Sequence, residues 1–276
     1  MKSNNLLKNL LIISLSVFCL GLALFGFGKV SGGSVDGMSL GDSGFYVIDD
    51  NFGLSFSWGG SNVSKETINI NQVKEIHINT ACATINIDGD ADSNVLEYSN
   101  FRVHEVDVKY ENGIIDINAG GQKCRNNKTA SIDLSFKQTD IIDKVVIKTN
   151  VGDIDIEDLK AASFDINNDV GRVALDEVVS DGLIASTGPG EITIKGDLRN
   201  TSTIKSAVGS IYVETVQPKS AYYYDASVNL GSLTVDGAGS DNPFGGNQTG
   251  GDSKTAKNKI YIEANIGDAD LYFTDN

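Results

Sequence analysis

One feature dominates this chain: a glycine-centred segment that recurs every nineteen residues. The first copies are Val151-Gly152-Asp153-Ile154-Asp155-Ile156 and Val170-Gly171-Arg172-Val173-Ala174-Leu175. Next come Pro189-Gly190-Glu191-Ile192-Thr193-Ile194 and Val208-Gly209-Ser210-Ile211-Tyr212-Val213. A fifth copy centred on Gly231 follows after 22 residues, and a sixth on Gly267 after a longer gap. Five positions before the glycines stand Ile147, Ile166, Ala185, Ile204 and Ile262. Seven before stand Val145, Phe164, Leu183 and Ile260, with Ser202 the exception. An earlier stretch fits with Ala83 in the glycine place, Ile76 and Ile78 ahead of it and Ile85 and Ile87 behind.

Apolar residues spaced by two make one face of a strand, and spacings of three or four, which a helical repeat needs, do not occur. Glycine between two short strands supplies the positive φ or close approach of a corner. A nineteen-residue coil cannot bury its own apolar positions, so the next coil must stack on it at about 4.8 Å. A propeller would need about forty residues per blade. The expected fold is therefore all-β: a single-stranded β-helix, or solenoid, of about nineteen residues per coil. Right-handed is the expected sense, although the sequence itself does not fix it. Ile154, Val173, Ile192 and Ile211 should lie in one interior column.

The solenoid is expected over 65–276, irregular over 65–143 and regular over 144–276. In the irregular part Val106, Val108 and Tyr110, a turn at Glu111-Asn112-Gly113, then Ile115 and Ile117 read as a hairpin or a wider coil. Residues 237–258 have turn composition throughout and read as an excursion loop.

The N-terminus is of another kind. After an n-region of residues 1–8 with Lys2 and Lys8, an apolar run extends from Leu10 to Phe27. Its 18 residues span about 27 Å as a helix, against roughly 30 Å of bilayer hydrocarbon and the shorter h-region of a signal peptide. We read residues 9–28 as one transmembrane signal anchor, N-terminus inside. Cleavage at Gly26-Phe27-Gly28 is the competing reading. Cys19 follows bulky Phe18 rather than a small residue, so lipidation is set aside and Cys19 taken as apolar filler. Residues 29–64 read as a Gly/Ser tether and an aromatic-rich juxtamembrane segment.

The charge is −15, and without residues 1–33 the chain keeps 19 bases against 37 acids. That excludes nucleic acid, which needs clustered Lys and Arg. Two His and three Cys exclude a zinc module and a disulfide-dense scaffold.

The order of parts now resembles a known family: an anchor, an irregular β region, then coils of the form Ser/Thr-x-x-Gly-Asp/Ser-Ile-x-Ile, closing on Gly267-Asp268-Ala269-Asp270-Leu271-Tyr272-Phe273. This resembles the bacterial candidate-adhesin family of toastrack-like β-strand-repeat domains of the cell envelope. The resemblance implies a single-pass cell-membrane protein whose C-terminal domain is extracytoplasmic and acts as adhesin, scaffold or envelope-stress sensor. It carries over no catalytic residues.

Each candidate site has a plainer reading beside it. Asp153, Asp155, Asp169, Asp176, Asp268 and Asp270 lie near the glycines. Calcium β-rolls need a nine-residue period, however, and Arg172, Ser210 and Ser232 interrupt any ligand ladder, so a solvated face is expected. Neither metal nor cofactor is expected. The alternative function is a polysaccharide lyase or hydrolase, with Asp155 and Glu191, or Asp153 and a neighbour, facing one another across coils. Hydrolysis wants two carboxylates about 5–10 Å apart in a cleft, and coils this short lack groove-forming loops. A non-enzyme is therefore the favoured reading.

His77 is expected outward, and His104 at a bulge, as bystanders. Cys82 and Cys124 read equally as a disulfide or as two apolar fillers. Exposed aromatics are the candidate contact surface: Tyr223, alternating outward between Tyr222 and Tyr224, with Phe56 and Trp58 from the cluster Phe45–Trp58. End-capping of the solenoid is the plainer reading of the same residues. The expected partners are the membrane, through the N-terminal helix, and a cell-wall glycan or another envelope protein.

Overall fold

The structure, a computed structural model, describes residues 45–48, 53–56, 63–102, 106–120, 130–240 and 245–274. The expected transmembrane segment, tether, His104, Cys124 and Trp58 lie outside them. Two compact units divide at residue 61. In the first, β1 (Phe45–Ile48) and β2 (Gly53–Phe56) pair as an antiparallel hairpin.

The second unit is all-β. In chain order it begins with β3 (Val63–Asn69), β4 (Glu75–Asp88), β5 (Asp90–Arg102), β6 (Asp107–Glu111), β7 (Ile114–Ala119) and β8 (Ala130–Lys137). There follow β9 (Lys144–Val151), β10 (Ile154–Glu157), β11 (Lys160–Ala161), β12 (Phe164–Val170), β13 (Val173–Pro189), β14 (Ile192–Val208) and β15 (Ile211–Thr215). A 3-10 turn at Lys219–Ala221 leads to β16 (Tyr222–Leu230), β17 (Leu233–Val235), β18 (Ala238–Ser240), β19 (Gly246–Gly250), β20 (Asn258–Ile266) and β21 (Ala269–Phe273). No α-helix occurs among the described residues, and no described helix is long and apolar enough to cross a membrane.

The stack is the expected solenoid. Ile154 pairs in parallel with Val173, Val173 with Ile192 and Ile192 with Ile211, all completely buried. The column continues to Ile85 and Ile132 at one end and to Ala269 and Leu233 at the other. A second column on the side before the glycines runs Ile117, Ile78, Ile147, Ile166, Ala185, Ile204, Ile262, Ala226. Because β-branched residues dominate both columns, each coil meets the next with side chains already restricted in rotamer, which lowers the entropy lost on packing.

Two features were not expected. A short third side closes the coils of β10–β11, β13 and β14: Leu159 and Ala161 lie beside Val178 and Ser180, and Ser180 beside Leu198, all buried. The chain turns into it at Asp158 and Glu177, both with φ near +54°, and at Gly196. The second feature concerns order. Coils do not stack wholly in sequence order. The β4 coil is inserted between β7–β8 and β9–β10, and the β20–β21 coil between β14–β15 and β16–β17. Both ends close with antiparallel strands: β6 on β7 and β5 on β8, with β3 outside β5, at one; β19 on β16 and β18 on β17 at the other. The segment 237–258 is thus no simple excursion, since it builds β18 and β19 and covers an end that would otherwise invite further pairing. The Val106–Ile117 region is the expected hairpin.

The corner explains the glycines. A Cβ on Gly171 would lie 1.9 Å from the carbonyl oxygen of Gly152, one on Gly190 1.9 Å from that of Gly171, and one on Gly209 1.8 Å from that of Gly190. No side chain fits at such a separation; the corners stack backbone on backbone. Polar side chains three residues earlier are buried beneath them. Asn168 Nδ2 donates to the Gly152 carbonyl at 2.8 Å and Thr187 Oγ1 to that of Gly171 at 3.2 Å. Aspartate after glycine also serves the stack. Asp153 accepts the Arg172 N–H at 2.9 Å, and Asp268 accepts both the N–H and the hydroxyl of Ser232. Those two bonds hold the Asp268 carboxyl below the usual carboxylate range.

Candidate aromatic contact surface

Alternation along β16 places Tyr222 and Tyr224 in the core and Tyr223 outward, half-buried. Tyr223 does not stand alone. On neighbouring β20 Tyr261 is sandwiched between inward Ile260 and Ile262, and its ring centroid lies 6.1 Å from that of Tyr223, edge to face. On the second side Tyr212 of β15 and Tyr272 of β21 form another outward pair at 5.5 Å. Both pairs belong to the coils nearest the β18–β19 end. Only Tyr223 was singled out from sequence. The other three stand between two inward apolar residues, a pattern that already implied an outward aromatic.

The rings are held from below. Tyr222 Oη donates to the Leu198 carbonyl at 2.6 Å and is bonded to Thr215 Oγ1, and burial pushes its hydroxyl up to about 12. Phe273 packs 5.3 Å from Tyr222 and 5.6 Å from Tyr224. Lys219 Nζ sits 5.3 Å from the Tyr224 ring centroid and 2.8 Å from Asp236, whose carboxylate raises the ammonium above its ordinary range. Tyr212 Oη donates to Glu214 at 2.9 Å; burial first, then that bond, push it up to about 12. Beside this end lies an open cleft of about 650 Å³, with Gln217, Lys219, Asp252, Thr255 and Lys257 around the buried Asn258 amide. Flat rings flanked by amides, carboxylates and ammonium groups can stack on a sugar face or on protein side chains and hydrogen-bond at the rim.

The other expected residues fall elsewhere. Phe56 ends β2 in the first unit. His77 is on the outward row of β4, its Nε2 3.0 Å from Glu75. Cys82 is disulfide-bonded, which decides for it between the two readings left open. Asp155 is held by Arg172 Nη2 at 2.6 Å rather than facing Glu191. On the same side Asn86 donates to Asp133 at 2.6 Å.

The chain is similar to the crystal structure of a candidate cell adhesion protein from Clostridium sporogenes, at 14% identity and TM-score 0.45, covering 77% of this chain and 99% of that one. It is similar also to a candidate adhesin from Bacteroides fragilis (13%, TM-score 0.34, 78% and 98% covered) and to a candidate lipid binding protein from Parabacteroides distasonis (12%, 0.32, 79% and 98%). No curated protein matches the chain. Residues 59–272, nearly the whole of the solenoid, match the family described as Toastrack DUF4097, and the chain belongs to that family.

Proposed function

We propose that this protein is a non-enzymatic, single-pass membrane protein of the cell envelope, whose extracytoplasmic solenoid presents a contact surface for adhesion or scaffolding. The observation that carries the reading is the position of the aromatic pairs relative to the chain entry. The second unit begins at β3, at one end of the strand order, whereas Tyr212 and Tyr272 lie seven and eight strand steps away. At about 4.8 Å per step the separation is roughly 35 Å. Those rings therefore stand at the end of the solenoid remote from β3, where the chain enters it, and face outward for a partner. The partner is a cell-wall glycan or another envelope protein, met by ring stacking and rim hydrogen bonds.

The test uses the full-length tagged chain. Fractionation should recover it in the membrane pellet, with the solenoid open to added protease on intact cells, and Tyr223→Ala with Tyr261→Ala should weaken binding to purified cell wall. Recovery in the culture medium would refute the anchored part. Release of soluble saccharide from the wall by the purified chain would refute the non-enzymatic part.

A further inference from the structure

Most outward positions on this solenoid are polar, but one row is not. The residue immediately before each corner glycine is Val151, Val170, Pro189, Val208, Ile266 and Leu230 in spatial order. All are exposed, the five non-proline members by 42–48%. Strand pairing sets Val151 beside Val170, Pro189 beside Val208, Val208 beside Ile266 and Ile266 beside Leu230. The row is therefore an unbroken aliphatic ridge of about 24 Å along one edge, at about 4.8 Å per coil. It exposes roughly 450 Å² of apolar surface, as much as the largest patch on an ordinary monomer. Other exposed large aliphatics, Ile114, Ile141, Ile184 and Val216, are scattered singly. Folding does not demand the ridge. Threonine suits an outward strand position equally, and the chain uses it at Thr193, Thr201 and Thr203.

We propose that the ridge is the contact between two copies of this chain, packed side by side and pointing the same way. Three considerations select that occupant. The first is charge. A two-fold axis parallel to the stack sets each ridge residue against its counterpart, and the flank after the glycines of one copy against the flank before the ridge of the other. Arg172 then faces Asp169 of the other copy, Asp153 faces Asn150, Asp268 faces Asn265 and Ser232 faces Asn229; Glu191 and Ser210 meet the small residues Gly188 and Ala207. No carboxylate opposes another at the same coil, in a chain of charge −15. The second is area. A stable dimer buries about 800 Å² per partner, and the ridge offers about half, so the contact is weak in dilute solution and needs a raised local concentration. The third is tethering, which supplies that concentration and makes neighbouring copies parallel; this point rests on the anchored reading above.

Site-directed cross-linking of the full chain in its own membranes tests the proposal, in a Cys19→Ser background and with a short bismaleimide. Val208→Cys should give a product of twice the chain mass, and Ile184→Cys, exposed but off the ridge, should not. Val151→Cys and Leu230→Cys should each link to its own counterpart. Adding Val170→Asp and Val208→Asp should lower the Val151→Cys dimer by about tenfold or more while leaving the thermal midpoint near that of the parent. Links only between Val151→Cys and Leu230→Cys in a mixed sample mean antiparallel packing and overturn the proposal. So does a product of any other mass, or no product at any ridge position. Fractionation of the same cells reports separately on anchoring. If the chain is in the medium, the anchored reading fails, and the ridge proposal stands only if homodimer links persist in the concentrated soluble chain.

Discussion

Replacing Gly190 by Ala perturbs the stack at its most crowded point. The new Cβ would lie 1.9 Å from the Gly171 carbonyl oxygen and 2.8 Å from Thr187 Oγ1. The oxygen belongs to backbone that cannot rotate away, so the two coils must separate by about 1 Å at this corner to reach a tolerable contact. Two inter-coil bonds span the gap, Gly171 N–H to the Pro189 carbonyl at 3.1 Å and Val173 N–H to the Glu191 carbonyl at 2.8 Å. Weakening both costs about 1 kcal/mol each, and loosening the buried Val173–Ile192 contact costs about 2 kcal/mol more. The expected loss is roughly 3–5 kcal/mol, or about 10 °C in thermal midpoint for a domain of this size. Gly182→Ala is the control: its Cβ would find nothing nearer than 3.8 Å, and its φ is not in the positive range, so it should be neutral or slightly stabilising. Urea and thermal denaturation of the two variants settle the matter. If Gly190→Ala matched Gly182→Ala in stability, the argument from backbone contact would be refuted.

Two further outcomes are expected. Raising the pH above 10 should destabilise the fold through Tyr222: below pH 10 its hydroxyl is neutral in both states, whereas between 10 and 12 the unfolded chain ionises and the folded one holds its proton. The loss should approach roughly 2 kcal/mol by pH 12 and be shallower in Tyr222→Phe, followed by denaturant titration at stepped pH. Ser202, 1% exposed, interrupts an apolar column between Leu183 and Ile260, with its hydroxyl unpartnered. Ser202→Ala should therefore raise stability by about 1 kcal/mol in the same denaturation assay.

What the sequence reveals and what it hides have one physical cause. The columns Ile154–Val173–Ile192–Ile211 and Ile147–Ile166–Ala185–Ile204 are legible because each coil repeats the same inward residues at fixed spacing. That same sameness conceals which coil lies beside which, since any coil offers its neighbour an equivalent interior. The insertion of 258–271 between 202–213 and 222–235 follows from the far end: β18 and β19 cover the outer edge of β16–β17, so the returning chain can pair only on the inner edge. Gaps of 22 residues and more signalled irregularity without giving its direction. The third side escaped notice because Leu159–Ala161 and Val178–Ser180 are too short to show a period. Of the aromatic surface, Tyr223 was visible through the three-tyrosine run. Tyr212, Tyr261 and Tyr272 needed the stacking order before they could be seen as pairs.

That order is tested most directly by cysteine pairs on the outward row. Lys205 pairs with Glu263, and Glu263 with Ser227, which leaves Lys205 and Ser227 two coils apart. Under mild oxidation, with linked peptides identified by mass spectrometry, Lys205→Cys with Glu263→Cys should form a disulfide readily and Lys205→Cys with Ser227→Cys should not. A disulfide between 205 and 227 in place of one between 205 and 263 would mean that the coils stack in simple sequence order, and the architecture described above would be wrong at that end.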